Sequence, residues 1–182
     1  VLDLTVDPPQ VLRAGAIDAE EIARLLARPG DLSAEQSEAL TDEGKVIALV
    51  SCTIHSTEVG STQMVTEFVH EFATTDDPEK LAWMDDAVLL VMPSINPDGQ
   101  IMVVDWYRKW LGTEFEGGGM AWLYQRYVGH DNNRDFYMGN LAETTNMLRV
   151  QYREWFPQII YNHHQTGPQG TIMFAPPFRD PP

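Results

Sequence analysis

The chain has 182 residues, of which 12 are basic and 27 are acidic, so its net charge at neutral pH is −15. Such an acidic surface repels phosphate backbones, which argues against nucleic acid as a partner. Apolar residues make up 43% of the chain, as is usual for a packed domain. No apolar run approaches the roughly 20 residues needed to cross a bilayer. The single cysteine, Cys52, excludes an internal disulfide framework.

The first quarter of the chain carries three predicted elements. Residues 1–6 alternate apolar and polar side chains, which is typical of a strand, and two prolines close it. Capping signals then predict two helices, one from Asp18 to about Gly30 and a shorter one from Ser33 to Gly44.

Two runs in the middle of the chain have the pattern of buried strands. Val46–Ile54 and Ala87–Ile95 are nearly uninterrupted apolar stretches with several β-branched residues. Between them, apolar residues recur at helical spacing and predict a helix that begins near Thr57. Residues 100–140 are rich in glycine and aromatic side chains, and we expect them to be irregular.

The last part of the chain predicts a helix over 141–156 and strands over 158–162 and 171–175. Strands that alternate with helices indicate an α/β fold with helices on both faces of a sheet. In such sheets the functional groups collect just beyond the carboxyl ends of the strands. Three motifs follow predicted strands at these places: His55–Glu58, Asn96–Gly99 and His163–His164.

His55 and Glu58 are candidate metal ligands. They lie three residues apart where a buried strand turns into a helix, so the first helical turn brings the carboxylate back beside the imidazole. Both groups are good zinc ligands. A structural alternative is that Glu58 complements the helix dipole while His55 only closes the strand.

The adjacent pair His163 and His164 would supply the third ligand. Neighbouring side chains on a strand face opposite ways, so we expect one of the two to reach the site, and we favour His164. Three protein ligands with a fourth position for water are typical of a catalytic zinc site. The alternative is two hydrogen-bonded histidines with a structural role.

Further motifs follow the first one in a fixed order. They are Asn96-Pro97-Asp98-Gly99, Trp106-Tyr107-Arg108-Lys109, the run from Gly129 to Phe136, and Asn162-His163-His164. With His55-Ser56-Thr57-Glu58 before them, they resemble the zinc carboxypeptidase family, from about Lys45 to the end of the chain. The resemblance implies a three-layer α/β/α fold with a mixed, mostly parallel central sheet. Residues 1–182 would be the N-terminal portion of one catalytic domain with an incomplete sheet, and the remainder of that domain would be its partner.

The resemblance also implies a role for each site residue. One Zn²⁺ would be held by His55, Glu58 and His164. Arg108 would stabilise the oxyanion that develops on the scissile carbonyl, and Asn133 with Arg134 would bind the terminal carboxylate of the substrate. Asp131 would accept a hydrogen bond from a zinc-ligating imidazole and fix its tautomer.

The sequence departs from the family pattern at three places. The residue two positions before the last ligand is Asn162 where the family has Asp, which would weaken polarisation of the ligand or shift the ligand to His163. His130 is an unusual residue that either faces the pocket or lies on a polar loop, whereas His70 is expected to be exposed. The general base and the capping tyrosine of the family lie beyond this chain, so no residue here is assigned to those roles.

These observations predict a zinc-dependent carboxypeptidase that hydrolyses the C-terminal peptide bond of a peptide with a free carboxylate, although this chain alone would be catalytically incomplete. Two alternatives stay open: a related zinc deacylase of N-acyl amino acids, and a non-catalytic module that binds zinc or a peptide end. No leader precedes Val1, so a targeting segment is absent or already removed. The family resemblance favours a secreted or periplasmic protein.

Overall fold

The computed structural model describes residues 2–3, 10–11, 28–35, 37–38 and 44–165. The predicted strand over 171–175 and most of the predicted helix that begins at Asp18 lie outside these residues. Within the predicted helix from Ser33 to Gly44, residues 34, 35, 37 and 38 are helical. Residues 29–31 form a short 3-10 turn at the predicted end of the preceding helix.

A sheet of five strands forms the centre of the described structure. The strands are β1 (Leu2–Asp3), β2 (Gln10–Val11), β3 (Val46–Ser51), β4 (Ala87–Met92) and β5 (Ile159–Asn162). They lie in the order β2-β1-β4-β3-β5. The pair β1 and β2 is antiparallel, and the other neighbours run parallel. The prediction of a mixed, mostly parallel sheet is confirmed.

Four helices connect and cover these strands in the described part of the chain. They are α1 (Gly60–Thr74), α2 (Pro78–Asp86), α3 (Pro97–Trp110) and α4 (Ala142–Arg149), and a π-helical turn over Val150–Glu154 continues α4. A 3-10 turn over Asn132–Arg134 interrupts the long connection between α3 and α4. Within the described residues, no helix combines the length and the apolar character required to span a bilayer.

The alternation of side chains along β3 and β4 divides the core into two halves. Ile47, Leu49 and Leu90 face α4 and its continuation, and they pack with Met147 and Trp155. On the opposite face, apolar side chains of the two strands pack against α1; these are Val50, Cys52, Leu89 and Val91 of the sheet with Val65, Phe68 and Val69 of the helix. The predicted α/β fold with helices on both faces of the sheet is therefore confirmed.

The prediction of an irregular segment over 100–140 is wrong for its first part, because α3 runs to Trp110. An asparagine cap followed by proline begins this helix, and the Asn96 side chain accepts a hydrogen bond from Gly99 N at 3.0 Å. Helix α2 was not predicted, although Asp77 and Pro78 give the same signal at its start. In both cases an N-cap side chain followed by proline marks the start of the helix.

Both buried strands are shorter than the apolar runs that predict them. β3 ends at Ser51 and β4 at Met92, three residues before Ile54 and Ile95. The backbone of Thr53 has a φ of +56°, a left-handed conformation that no regular strand contains. The chain therefore leaves the sheet before His55 and turns toward α1.

Candidate metal centre

Three parallel strands deliver the predicted site residues to one edge of the sheet. Two further backbone hydrogen bonds, Cys52 N to Met92 O and Ile95 N to Cys52 O, keep the segments after β3 and β4 side by side. On the other side of β3, His163 N donates to Ser51 O at 2.8 Å. The segments that follow β3, β4 and β5 thus emerge together, as expected for the carboxyl edge of a parallel sheet.

The backbone that carries His55 is fixed from two sides. The carbonyl of Ile54 accepts hydrogen bonds from Asn96 Nδ2 at 3.2 Å and from Asn132 Nδ2 at 2.7 Å, and both amide side chains are buried. The Thr53 hydroxyl hydrogen-bonds to Ser61 Oγ at 2.9 Å, which ties the left-handed turn to the first turn of α1. The imidazole is therefore presented from a rigid support.

His55, Glu58 and His164 converge on one point. Glu58 Oε1 lies 2.9 Å from His55 Nδ1, and Glu58 Oε2 lies 3.0 Å from His164 Nδ1. One donor atom from each residue lies within 4.8 Å of the other two, and the two imidazole rings are 4.8 Å apart between centroids. The structure thus brings together the three residues that the sequence predicts as ligands, across 106 positions of the chain.

The donor atoms of this cluster fit a divalent cation such as Zn²⁺. The Asp131 carboxylate can accept from Nε2, and a neutral His55 ring that carries its hydrogen there would leave the Nδ1 lone pair free for a metal ion. A lone pair facing a carboxylate oxygen at 2.9 Å requires a proton or a cation between them. The imidazole–carboxylate distances of 2.9 and 3.0 Å, and the 4.8 Å within which all three donor atoms lie, leave these side chains within reach of one ion.

His163 does not join the cluster. Its Nδ1 lies 2.9 Å from the hydroxyl of Tyr161, two residues earlier on the exposed edge strand β5. The two histidines are consecutive in an extended segment, so their side chains point to opposite sides. Of the two candidates for the third ligand, His164 alone lies beside Glu58.

Asp131 contacts the outer nitrogen of His55. Its Oδ1 accepts from His55 Nε2 at 3.1 Å and from Asn133 N at 2.8 Å. Partial burial alone would raise the pKa of this carboxyl. The hydrogen bonds from Asn133 N, the Tyr124 hydroxyl and His55 outweigh burial and hold the pKa of Asp131 below its ordinary value.

Tyr124 is a site residue that the sequence analysis missed. Its ring lies 4.9 Å from the His55 ring between centroids. Burial, followed by the hydrogen bond to Asp131, raises the pKa of the Tyr124 phenol well above its ordinary value. The residue lies in an irregular segment without periodicity, so only its closeness to the motif that contains Asp131 could have drawn attention to it.

Gln165 is a second residue that was missed. Its backbone N–H donates to Glu58 Oε2 at 3.1 Å, and its side-chain Oε1 accepts from Gly60 N at 3.1 Å. A Cβ at Gly60 would lie 2.9 Å from Gln165 Nε2, so the side chain fits against the bare backbone there. The residue after the third candidate ligand thus holds both Glu58 and the beginning of α1.

Comparison with known families decides the classification of this chain. Residues 30–171 match the zinc carboxypeptidase family. The chain belongs to the zinc carboxypeptidase family. Neither the curated proteins nor the solved structures with which it was compared gave a significant match.

Membership of the zinc carboxypeptidases agrees with the chemistry of the cluster. The family is zinc-dependent, and His55, Glu58 and His164 form a group able to hold a metal ion. Membership also indicates hydrolase chemistry on peptides.

Two of the three remaining predicted site residues lie beside the cluster. Asn133 and Arg134 belong to the 3-10 turn that follows Asp131, and the Asp131 side chain caps that turn. Arg134 is exposed, and its Nη1 donates to Asn133 O at 3.1 Å. Its positive charge acts on Tyr124, where it opposes the rise in the pKa of the phenol.

Arg108 is the predicted site residue that no hydrogen bond or ion pair of residues 44–165 links to the cluster. It lies in the last turn of α3 and is exposed. Among residues 44–165, no hydrogen bond or ion pair involves its side chain. Its predicted role at the oxyanion therefore stays a prediction.

The two residues at which the sequence departs from the family, Asn162 and His130, form no hydrogen bond with the candidate ligands among residues 44–165. Asn162 accepts a hydrogen bond from the Ser51 hydroxyl at 3.3 Å, which places its amide on the β3 side of the sheet edge. His130 is exposed, as expected for a polar loop residue. His70 is exposed on α1, and this prediction is confirmed.

Proposed function

We propose that this chain carries the zinc centre of a carboxypeptidase that hydrolyses the C-terminal peptide bond of peptides. The observation that supports the proposal is the convergence of His55, Glu58 and His164 at the carboxyl edge of the sheet, in a chain of the zinc carboxypeptidase family. The two imidazoles approach the carboxylate through Nδ1, and Asp131 holds the outer nitrogen of His55.

Each of the three residues would contribute one ligand and leave a fourth position for water. Zinc bound there supplies positive charge that lowers the pKa of a water molecule and polarises a carbonyl group. The chain's own residues then have to bind and orient the peptide. A positive charge next to Asp131 supports such a role in substrate binding. Arg134 is an exposed cation one turn away from Asp131, in a protein with a net charge of −15.

Arg134 would select the end of a peptide chain. A guanidinium forms two parallel hydrogen bonds with a carboxylate, whereas an amidated end offers no such partner. Asn133 would add an amide donor from the same turn. Arg108 is assigned to the oxyanion only through the family pattern.

The two adjacent histidines allow a controlled test of the metal centre. We expect His164→Ala to weaken zinc binding at least about 100-fold, because it removes one of three ligands. His163→Ala should leave the affinity within about twofold, since the side chain lies against Tyr161. Zinc affinity is measured by competition with a chromogenic chelator. Equal losses in the two variants would contradict the proposed ligand set.

A second test addresses the substrate. In the zinc-loaded full-length enzyme, Arg134→Ala should reduce kcat/KM for a peptide with a free C-terminal carboxylate about 100-fold, while the amidated peptide is affected far less. Arg126→Ala, another exposed arginine before the Asp131 turn, serves as the control. An equal loss on both peptides would refute the role of Arg134. Faster hydrolysis of an N-acyl amino acid than of either peptide would identify a deacylase instead.

A further inference from the structure

We propose that Gln165 is a positioning residue of the metal centre, whose side chain binds the start of α1 and thereby holds His164 and Glu58 in a fixed relative position. The inference rests on the proposed metal centre. It adds a residue that is not itself a ligand.

The segment that carries the third candidate ligand leaves the sheet before it reaches the cluster. The pairing of β5 with β3 is followed by one further backbone bond, from His163 N to the end of β3 at 2.8 Å. Beyond it, the hydrogen bonds of the next two residues within the described part of the chain go to Glu58 and Gly60. Contacts with the beginning of α1 therefore determine where His164 lies.

One carboxylate oxygen of Glu58 contacts two consecutive residues. Glu58 Oε2 lies 3.0 Å from His164 Nδ1 and accepts a hydrogen bond from Gln165 N at 3.1 Å. A carboxylate oxygen has two lone pairs, so the N–H of Gln165 occupies one of them and leaves the other for a metal ion. The backbone at Gln165 thus orients the carboxylate of one candidate ligand from the residue next to another.

The side chain of Gln165 fixes that backbone to α1. Its Oε1 accepts a hydrogen bond from Gly60 N at 3.1 Å, across 105 positions of the chain. The first N–H groups of a helix have no partner within it, and Val59, the residue before α1, has no side-chain oxygen that could accept from them. Gln165 supplies an acceptor there, two residues after Glu58.

The absence of a side chain at Gly60 makes room for this contact. A Cβ at Gly60 would lie 2.9 Å from Gln165 Nε2 and 3.4 Å from its Cδ. These atoms belong to the end of a flexible side chain, so a methyl group would displace the glutamine instead of straining the backbone. Gly60→Ala therefore breaks the contact without changing the glutamine or any candidate ligand.

A second glutamine makes the same kind of contact at the opposite end of β5. Gln158 Oε1 accepts from Ile47 N at 2.8 Å, near the beginning of β3. Both glutamines join two distant segments by accepting a backbone N–H, across 105 and 111 positions. Of the two, only Gln165 lies where the candidate ligands converge. Gln158 therefore serves as a matched control for a general contribution to folding.

The experiment measures the zinc affinity of the full-length protein by competition with a chromogenic chelator. Gln165→Met keeps the length of the side chain and removes the acceptor, so we expect zinc binding to weaken about five- to tenfold. Gly60→Ala should weaken it to a similar extent. The controls are Gln158→Met and Gly119→Ala, where a Cβ meets no atom within 4 Å, and they should change the affinity less than about twofold.

The absorption spectrum of the Co²⁺ form provides a second measurement, because it reports the arrangement of the ligands around the ion. It should shift in Gln165→Met and in Gly60→Ala, and it should stay unchanged in Gln158→Met. An unchanged affinity and spectrum in Gln165→Met would overturn the proposal.

Urea unfolding of the metal-free proteins separates positioning from folding. Alanine favours a helix more than glycine does, so Gly60→Ala should unfold at about the same urea concentration as the unmodified protein, or at a higher one, although it binds zinc more weakly. A contact that only stabilised the fold would lower the unfolding midpoint and leave the Co²⁺ spectrum unchanged. That result would refute the role of Gln165.

A double variant tests whether the two substitutions act through the same contact. If they do, Gly60→Ala combined with Gln165→Met should bind zinc within about twofold of the weaker single variant. Losses that multiply in the double variant would show that the glutamine does not act through Gly60, contrary to the proposal.

Failure of the proposed function gives a different result. If the unmodified protein does not bind zinc, or binds it equally well after His164→Ala, the metal centre itself is wrong. If the unmodified protein binds zinc through His164 and Gln165→Met binds it equally well, only the role of Gln165 is wrong.

Discussion

The two ends of helix α3 differ sharply in how they are held. At its beginning, Asn96 is completely buried, and its side chain donates to Ile54 O and Tyr124 O while accepting from Gly99 N. At its end, aromatic rings pack on one another near the surface. Trp110 lies 5.7 Å from Trp106 between centroids, and the Lys109 ammonium lies 4.8 Å from the Trp110 ring.

This contrast separates a family motif that is hydrogen-bonded to the His55 turn from one that no hydrogen bond of the described residues ties to it. The motif at the start of α3 follows a buried strand, so its place is fixed by the sheet and by hydrogen bonds to the His55 turn. The motif at the end contains Arg108, 11 residues after Pro97 and thus about 16 Å farther along the helix axis. Within the described part of the chain, the helix itself and surface aromatic contacts determine where that arginine lies.

The largest effect is expected from a methyl group at Gly99. A Cβ there would lie 2.3 Å from Tyr124 O and 2.5 Å from Asn96 Oδ1. Because the first of these atoms belongs to the backbone, Gly99→Ala should lower the free energy of unfolding by about 3 kcal/mol. Gly119→Ala, beyond the other end of the helix, meets no atom within 4 Å and should change it by less than about 0.5 kcal/mol. Urea unfolding measures both free energies of unfolding. Equal losses in Gly99→Ala and Gly119→Ala would contradict the difference between the two ends of α3.

The next effect concerns activity at the end of α3. If Arg108 stabilises an oxyanion, Arg108→Ala should lower kcat about 100-fold and leave zinc affinity and unfolding free energy unchanged. The control variant is Lys109→Ala. This neighbouring cation lies over the Trp106 and Trp110 rings. Steady-state kinetics of the zinc-loaded variants would decide. An unchanged kcat in Arg108→Ala would place the end of α3 outside the reaction.

A smaller effect is expected from the buried cap itself. Asn96→Ala leaves Gly99 N without its acceptor inside the protein and should cost about 2 kcal/mol in the free energy of unfolding. The cap of α2 is the comparison, because the Asp77 side chain accepts from Glu79 N at 2.9 Å where the surface is exposed. Asp77→Ala should cost about 1 kcal/mol. Thermal or urea denaturation that ranked the two caps in the reverse order would contradict this account.

The smallest effect is a difference in acid sensitivity between Asp135, a buried carboxylate before α4, and an exposed carboxylate beyond the end of α3. Burial would raise the pKa of Asp135, but hydrogen bonds from Leu141 N, Asn140 N and Thr144 lower it below its ordinary value of 3.8. The stabilisation is therefore complete above that value and is lost as the pH falls below it. Denaturation between pH 6 and pH 3 should show a shallower acid loss for Asp135→Asn than for the unmodified protein.

Glu116 provides the control for this measurement. Its Oε2 accepts from Gly112 N at 2.8 Å beyond the end of α3, and the residue is exposed. The same denaturation series on Glu116→Gln is the control, because this substitution neutralises a hydrogen-bonded carboxylate at the surface instead of in the interior. If Glu116→Gln reduced the dependence of unfolding free energy on pH as much as Asp135→Asn does, burial of Asp135 would not be the cause of its acid sensitivity.

The sheet and the ligand cluster could be predicted from the sequence, because both depend on short-range pattern. The apolar runs that become β3 and β4 identify buried strands, and the carboxyl ends of parallel strands must meet at one edge. Once His55, Glu58 and His164 are placed at such ends, their convergence follows without knowledge of the loops.

Helix α3 and Tyr124 could not be predicted in the same way. The glycine- and aromatic-rich composition after Gly99 obscured the start signal given by Asn96 and Pro97. Tyr124 owes its position to hydrogen bonds from Ser56 and Asn96 to its backbone carbonyl, and backbone acceptors are identical at every residue. Its place is therefore a result of tertiary packing that no local pattern records.

The wide separation of the ligands has a consequence for biosynthesis. His164 reaches Glu58 across 106 positions. At about 5–20 residues per second, a ribosome needs roughly 5–20 s to add that stretch. During this interval only two of the three candidate ligands, His55 and Glu58, have been synthesised. Two ligands alone bind a metal ion weakly and select poorly between abundant metals. Selection of the ion is thus deferred until the last imidazole is in place, after most of the sheet has been made.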